Sequence, residues 1–203
     1  LYVEYCTITD NTAGYGGGIY CSAGARPSVT HTTITNNSAT RGGGAAFVEL
    51  KYAYPSENKL KSCTISGNTG NQYGGGLYFS GGTNGNFHLE DNIVEGNTAS
   101  SGGGIYCEAS SWDGSAGQNS FYDMTVSGNT ASADGGGVVV ASGTTSFYNS
   151  DICSNTPNQV TGSMGGSGNT ILDLCDSDGD GVPDDLDAFP DDPDETVDTD
   201  GDG

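Results

Sequence analysis

Basic residues are scarce in this chain of 203 residues, with 5 Lys and Arg against 26 Asp and Glu and a formal charge of −21. That deficit excludes a sequence-independent grip on nucleic acid or on an anionic membrane, since both need basic clusters. Tryptophan occurs once, and hydrophobic residues make up only 33 % of the chain, below the globular norm. No run of about 18 apolar residues exists, so no segment reads as a transmembrane helix. A helical stripe is missing too, as are a Ser/His/Asp frame, a phosphate loop and a nucleotide fingerprint. The chain starts at Leu1 with neither a methionine nor a signal-type segment, and it stops inside a motif. It reads as a piece of something longer. Glycine, by contrast, is abundant at 35 residues, without the three-residue period of collagen.

The acids are unevenly placed. Residues 1–175 hold 13 acids and all 5 bases, while residues 176–203 hold the other 13 acids and no base. A break this sharp marks a boundary at Cys175. The sequence divides into a Gly/Ser/Thr/Asn-rich domain, 1–175, and an acidic segment, 176–203.

The first domain is a repeat. Aligning on asparagine gives CTITDNTA, TTITNNSA, CTISGNTG, NIVEGNTA, MTVSGNTA and DICSNTPN, anchored at Asn11, Asn37, Asn68, Asn97, Asn129 and Asn155. A glycine triplet follows each of the first five, beginning at Gly16, Gly42, Gly74, Gly102 and Gly135. Behind each triplet lies a short apolar alternation such as Leu77-Tyr78-Phe79. Three residues before the asparagines stand Ile8, Ile34, Ile65, Val94, Val126 and Ile152, and eight before them Val3, Val29, Leu60, Leu89, Phe121 and Phe147. These are β-type residues between turn formers. A unit of some 30 residues cannot bury its own apolar face, but successive units can stack like on like at about 4.8 Å. The apolar columns then become internal ladders and the asparagines an amide ladder. The expected fold is all-β: a parallel β-helix of about six coils.

The N-x-A-x-x-G-G-G-I/L-Y pattern resembles the right-handed parallel β-helix repeats of secreted bacterial proteins, close to polymorphic outer-membrane proteins and pectate-lyase-like surface proteins. That resemblance covers about residues 1–175 and implies an architecture far more than an activity.

The sixth copy departs from the pattern, with Thr156-Pro157 and then GSMGGSGNTILDLC in place of the glycine-triplet strand. Residues 153–175 read as a capping coil stapled by Cys153–Cys175, a closure of about 22 residues that contributes roughly 3 kcal/mol on the chain-entropy model. Cys6 and Cys63 share one column two coils apart, and Cys21 and Cys107 another, three coils apart. Disulfide Cα atoms lie within about 7 Å, so neither column pairs with itself. The four read as small buried hydrophobes, with a Cys6–Cys21 bridge left open.

In the acidic segment, counting from Asp176 as position one, carboxylates fall at positions one, three, five and twelve (Asp176, Asp178, Asp180, Asp187), with Gly181 at six. Alternate residues of a tight loop deliver oxygens to a hard cation, Val182 offers its carbonyl, and Asp184 ligates directly or through water. Asp198, Asp200 and Asp202 restart the frame. The pattern resembles the thrombospondin type 3 repeat, which implies calcium (Ca²⁺) binding, with Asp185, Asp191, Asp192 and Asp194 as candidates for further ions. An EF-hand fits less well because Pro183 and Pro190 deny flanking helices. A disordered acidic linker is the alternative.

A catalytic site is harder to find. Six residues before the asparagines stand Tyr5, His31, Ser62, Asp91, Asp123 and Asn149. Asp91 and Asp123 on adjacent coils are the candidate acids for cleaving a glycosidic bond. An exposed polar column, with Glu90 beside Lys61 as a surface ion pair, is the alternative. Insertions after the apolar triplets carry Tyr52 and Tyr54 in the first and Trp112 in the third, candidates for sugar stacking. Tyr20, Tyr78 and Tyr106 read as an outward cross-coil aromatic ladder.

The function expected from these readings is a secreted or cell-surface structural or adhesive protein with a calcium-stiffened C-terminal segment. The alternatives are a polysaccharide lyase or glycoside hydrolase and a calcium-dependent filament subunit. Partners are an extracellular glycan, a cell-surface protein or a second copy, with no nucleic acid and no membrane span in this segment.

Overall fold

The computed structural model describes residues 1–22, 25–48, 59–80, 87–108, 118–184 and 186–193. The first lap consists of β1 (Tyr2–Glu4), β2 (Thr7–Thr9), β3 (Thr12–Tyr15) and β4 (Ile19–Ser22). The second holds β5 (Ser28–Thr30), β6 (Thr33–Thr35), β7 (Ser38–Arg41) and β8 (Ala45–Val48). The third holds β9 (Lys59–Lys61), β10 (Thr64–Ser66), β11 (Thr69–Tyr73) and β12 (Leu77–Ser80). The fourth holds β13 (Phe87–Glu90), β14 (Ile93–Glu95), β15 (Thr98–Ser101) and β16 (Ile105–Glu108). Next come β17 (Gln118–Tyr122), β18 (Thr125–Ser127), β19 (Thr130–Asp134) and the long β20 (Val138–Tyr148). The chain finishes its winding with β21 (Asp151–Cys153), β22 (Val160–Ser167) and β23 (Thr170–Leu172).

All strand pairs are parallel and join equivalent strands of successive laps, as in Ile34 to Ile65 to Val94. The result is an all-β parallel solenoid with three faces: a seven-stranded sheet, a five-stranded sheet, and an eleven-stranded sheet made of two ladders that merge in β20. The five strands β3, β7, β11, β15 and β19 are separated by four turns. The chain thus closes four complete turns there, with incomplete laps at each end. The expected six coils counted asparagine rungs, which outnumber closed turns.

The bore is apolar because strand alternation sends every second side chain inward. Val29, Leu60, Leu89, Phe121 and Phe147 form one column, Ile34, Ile65, Val94, Val126 and Ile152 another, and all ten have no exposed surface. Each such side chain contributes about 1.5–3 kcal/mol on burial. A third column, Phe47, Phe79 and Cys107, interleaves with the first, and the rings of Phe79 and Phe121 lie 5.6 Å apart.

Two corners of each lap need left-handed backbone. Tyr5, His31, Ser62, Asp91, Asp123 and Asn149 occupy the first, with φ between 47° and 56°. Asp10, Asn36, Gly67, Gly96, Gly128 and Ser154 occupy the second. Asn, Asp and Gly tolerate this region best, which explains the small polar residues of those columns. The glycine triplets make the third corner. The middle glycine of each lies so close to the next lap that a Cβ on Gly75 would stand 2.3 Å from the Gly103 carbonyl oxygen.

The asparagines bond as rungs. Asn68 donates its backbone N–H and its Nδ2–H to Asn97 Oδ1 (2.9 and 3.0 Å). Asn97 repeats both bonds to Asn129, and Asn129 to Asn155. The spare Nδ2–H of each returns to a carbonyl of the neighbouring lap, as Asn97 does to Ile65 (2.9 Å). At the end of the ladder Gln159 substitutes for a seventh rung: its Oε1 accepts from Asn155 N–H and Nδ2–H (3.0 and 2.9 Å).

Cys21, Cys63 and Cys107 are buried thiols, whereas Cys6 is exposed. The expectation of a buried Cys6 therefore fails. Its lap is the first of the stack, and its thiol donates to Glu4 O (3.2 Å) at the surface. Among the described residues no helix is long and apolar enough to cross a membrane.

Candidate functional sites

The acidic loop is anchored where the solenoid ends. Cys175 is joined to Cys153 of β21 by a disulfide. From there the chain turns through Gly179 and Gly181, both at positive φ, and the carboxylates converge. Ligating oxygens of Asp176, Asp178 and Asp180 lie within 4.8 Å of one another. Asp176 uses both oxygens to shape the loop, accepting from Gly179 N–H (2.8 Å) and Gly181 N–H (3.1 Å). Asp178 Oδ1 accepts from Asp180 N–H, and Asp180 Oδ1 from Val182 N–H. Asp187 Oδ1 accepts from Phe189 N–H (2.9 Å).

The second oxygens behave differently. Oδ2 of Asp178, Asp180 and Asp187 are each sealed from solvent and have no hydrogen-bond donor. Burial, with the charges of Asp180, Asp187 and Asp176 behind it, pushes the Asp178 carboxyl above its ordinary range. Sealed carboxylate oxygens without a donor are costly unless a cation takes them. An all-oxygen, multiply anionic donor set suits a hard ion that accepts six to eight ligands, and fits magnesium, with its strict octahedron and retained waters, less well. Asp176, Asp178 and Asp180 therefore present the kind of donor set that calcium takes, and the bare Oδ2 of Asp187 is an oxygen of the same kind.

Asp184 has a different place. Its two oxygens accept from Ser177 N–H (2.6 Å) and Ser177 Oγ–H (2.8 Å), and its own N–H donates to Cys175 O (2.9 Å). It is a brace across the loop, a role the spacing of carboxylates did not reveal. The N–H of Val182 is taken by Asp180 Oδ1 at 2.7 Å. Asp198, Asp200 and Asp202 lie outside the described residues, as do Asp185 and Asp194, and Tyr52, Tyr54 and Trp112.

Asp91 and Asp123 both sit in the left-handed corner column. They follow β13 and β17, which are neighbours. Asp91 Oδ2 accepts from Ser62 Oγ–H (2.7 Å). Lys61 and Glu90 beside them pair at 2.9 Å, with side chains 42 % and 34 % exposed, a surface contact that solvent screening leaves with little net effect. The Lys61 ammonium is raised first by the Glu90 hydrogen bond, with Asp91 and Asp123 adding smaller attraction. The corner geometry accounts for Asp at both positions without chemistry.

The tyrosine column holds a further surprise. Tyr20 is exposed, but Tyr78 and Tyr106 are buried although they point away from the bore. They form a second apolar cluster with Ala46 and Val139. Its cover is the outward column of the five-stranded sheet, where Tyr15, Arg41 and Tyr73 lie in register. The Arg41 guanidinium stands 5.2–5.8 Å from the rings of Tyr73, Tyr15 and Tyr78 and donates to the Tyr78 hydroxyl at 3.3 Å. That hydroxyl in turn donates to Glu108. Burial, then the Glu108 contact, pushes the Tyr78 phenol up to about 12. Sequence spacing missed the cluster because its two columns meet only across the glycine corner.

No curated protein matches the chain, and no solved structure matches it. A family model does: the right handed beta helix region, over residues 1–175. Three parallel sheets, inward apolar columns and an asparagine ladder make up the winding, and the match covers the whole of it. The chain therefore belongs to the right-handed β-helix family.

Proposed function

We propose that this chain is a non-catalytic structural or adhesive β-helix, secreted or attached to a cell surface, whose acidic C-terminal segment binds calcium and is stiffened by it. The observation that carries the reading is the trio of sealed, donor-less oxygens on Asp178, Asp180 and Asp187, beside the converging Asp176. The disulfide supports an oxidising, extracellular setting. The spacing of the loop supports the thrombospondin type 3 resemblance. The polymorphic outer-membrane and pectate-lyase-like resemblances support a surface role for the solenoid. An extracellular glycan or cell-surface protein is the corresponding partner.

A polysaccharide-cleaving reading has less behind it, since Asp91 and Asp123 serve as corner residues and Asp91 is bonded to Ser62. Thermal melting and calorimetric titration test the proposal. Calcium should bind and raise the melting temperature by several degrees, and chelation should reverse the rise. Asp178→Asn together with Asp180→Asn should abolish both effects. Melting curves that superimpose with and without calcium, and no heat of binding, would falsify it.

A further inference from the structure

Cys175 stands one residue before the first carboxylate of the loop and is held at three atoms. Its sulfur is bonded to Cys153 at the end of β21. Its N–H donates to Ser154 Oγ (3.1 Å). Its carbonyl accepts from Asp184 N–H (2.9 Å), and Asp184 is the residue whose carboxylate grips Ser177 from both sides. Solenoid end, disulfide, brace and ligand loop thus form one connected path. Between the loop and the solenoid wall lies a cleft of about 320 Å³, faced by Thr125, Ser127 and Asp151 on the wall and by Asp176, Ser177 and Asp184 on the loop. The last winding meets the wall by backbone pairing of β23 with β21, while the side chains of Ile171, Leu172 and Leu174 are exposed and add little packing.

Resting on the cation reading above, we propose that the Cys153–Cys175 disulfide is a redox control on cation affinity. The carboxylates of the loop repel one another, so gathering them without an ion is unfavourable, and an untethered chain must also lose its freedom to gather them. The disulfide removes part of that loss in advance by fixing the entry of the loop, which is preorganisation in the ordinary sense. Reduction to two thiols by a dithiol, which itself becomes a disulfide, releases the covalent tie at residue 175 and leaves only hydrogen bonds to fix the entry of the loop. Cation binding weakens as a result. Linkage makes the effect reciprocal: whatever factor the disulfide adds to cation affinity, the cation adds to the stability of the oxidised form.

Two measurements on the 203-residue chain test this. Calcium titration of the oxidised protein and of the Cys153→Ser/Cys175→Ser variant should show at least tenfold weaker binding in the variant. In parallel, the oxidised protein is reduced by dithiothreitol, which itself becomes a cyclic disulfide, with and without calcium. Saturating calcium should slow the appearance of these two thiols at least tenfold, while the same experiment on Asp178→Asn should lose most of that protection. This second arm needs no cysteine variant, so it decides the matter even where the double substitution fails to fold. Binding of equal strength in both proteins, or reduction at one rate with and without calcium in a protein that binds it, overturns the redox control and leaves the cation reading standing. No calcium binding by the oxidised protein overturns both.

Discussion

A buried asparagine is costly unless each of its polar atoms finds a partner, because a donor or acceptor left bare in an apolar bore loses about 1–3 kcal/mol. Asn97 is fully buried, and its side chain bonds to Asn68 and Ile65 on one side and to Asn129 on the other. Asn97→Ala therefore strands the Asn68 N–H and the Ile65 carbonyl at once. The expected loss is about 2–4 kcal/mol in chemical unfolding, with the slope of the transition unchanged. At this scale the sequence was informative wherever a residue type repeats for one reason. The apolar columns and the asparagines were legible because each position meets its own kind one lap away. Three residues were not. Cys6 shares a column with the buried Cys63, but spacing does not say which lap has a neighbour beneath it. Gln159 closes the ladder from a position four residues beyond Asn155, out of the repeating frame. Asp184 stands at ligand spacing, and nothing in that spacing announces the bonds by which it braces Ser177 across the loop.

Elements in this fold are short, many of them three or four residues, so the corners carry as much information as the strands. The glycine triplets show why. A Cβ on Gly103 would stand 2.5 Å from the Thr130 carbonyl oxygen and 2.6 Å from that of Gly136, backbone atoms that cannot move aside without parting the laps. Gly14, on β3, has nothing within 4 Å of the same hypothetical atom. Gly103→Ala should lower stability by about 3 kcal/mol or more, beyond the usual range for overpacking, whereas Gly14→Ala should melt within a degree or two of the parent protein. Similar melting temperatures for the two variants would contradict the close-approach account. The same corners explain what was hidden about Arg41. The triplet folds the end of one sheet against the start of the next, which brings Tyr15, Arg41 and Tyr73 over Tyr78 and Tyr106. Alternation along a strand says which way a side chain points, not what another sheet lays over it.

For the molecule as a whole, burial in the bore and in the outer tyrosine cluster raises ionisable groups that stability measurements read together. Burial pushes the Cys21 thiol up to about 11 and the Cys107 thiol to about 12, from an ordinary value of 9.0; the Tyr78 phenol rises to about 12 from 10.0. Below pH 9 the folded and unfolded chains both keep these protons, and stability does not depend on them. Above it the unfolded chain releases protons that the folded chain retains, so stability falls steadily toward pH 12. Melting temperatures should decline across that window, and Cys107→Ala should flatten part of the slope. The parallel winding of residues 1–175 and its inward apolar columns were readable from the repeat alone. The number of closed turns was not, because the last winding adds a rung without adding a strand to the five-stranded sheet.

The asparagine ladder has one more implication. Each rung donates to the next in the same direction and returns one Nδ2–H to the lap behind, so the interior rungs share one bonding pattern. Adding or removing an entire circuit thus preserves the ladder's bonding pattern and changes the distance between the two ends. Such a molecule can be lengthened by duplication of a stretch of gene without redesign of its interior, which makes reach, rather than shape, the property most open to natural variation.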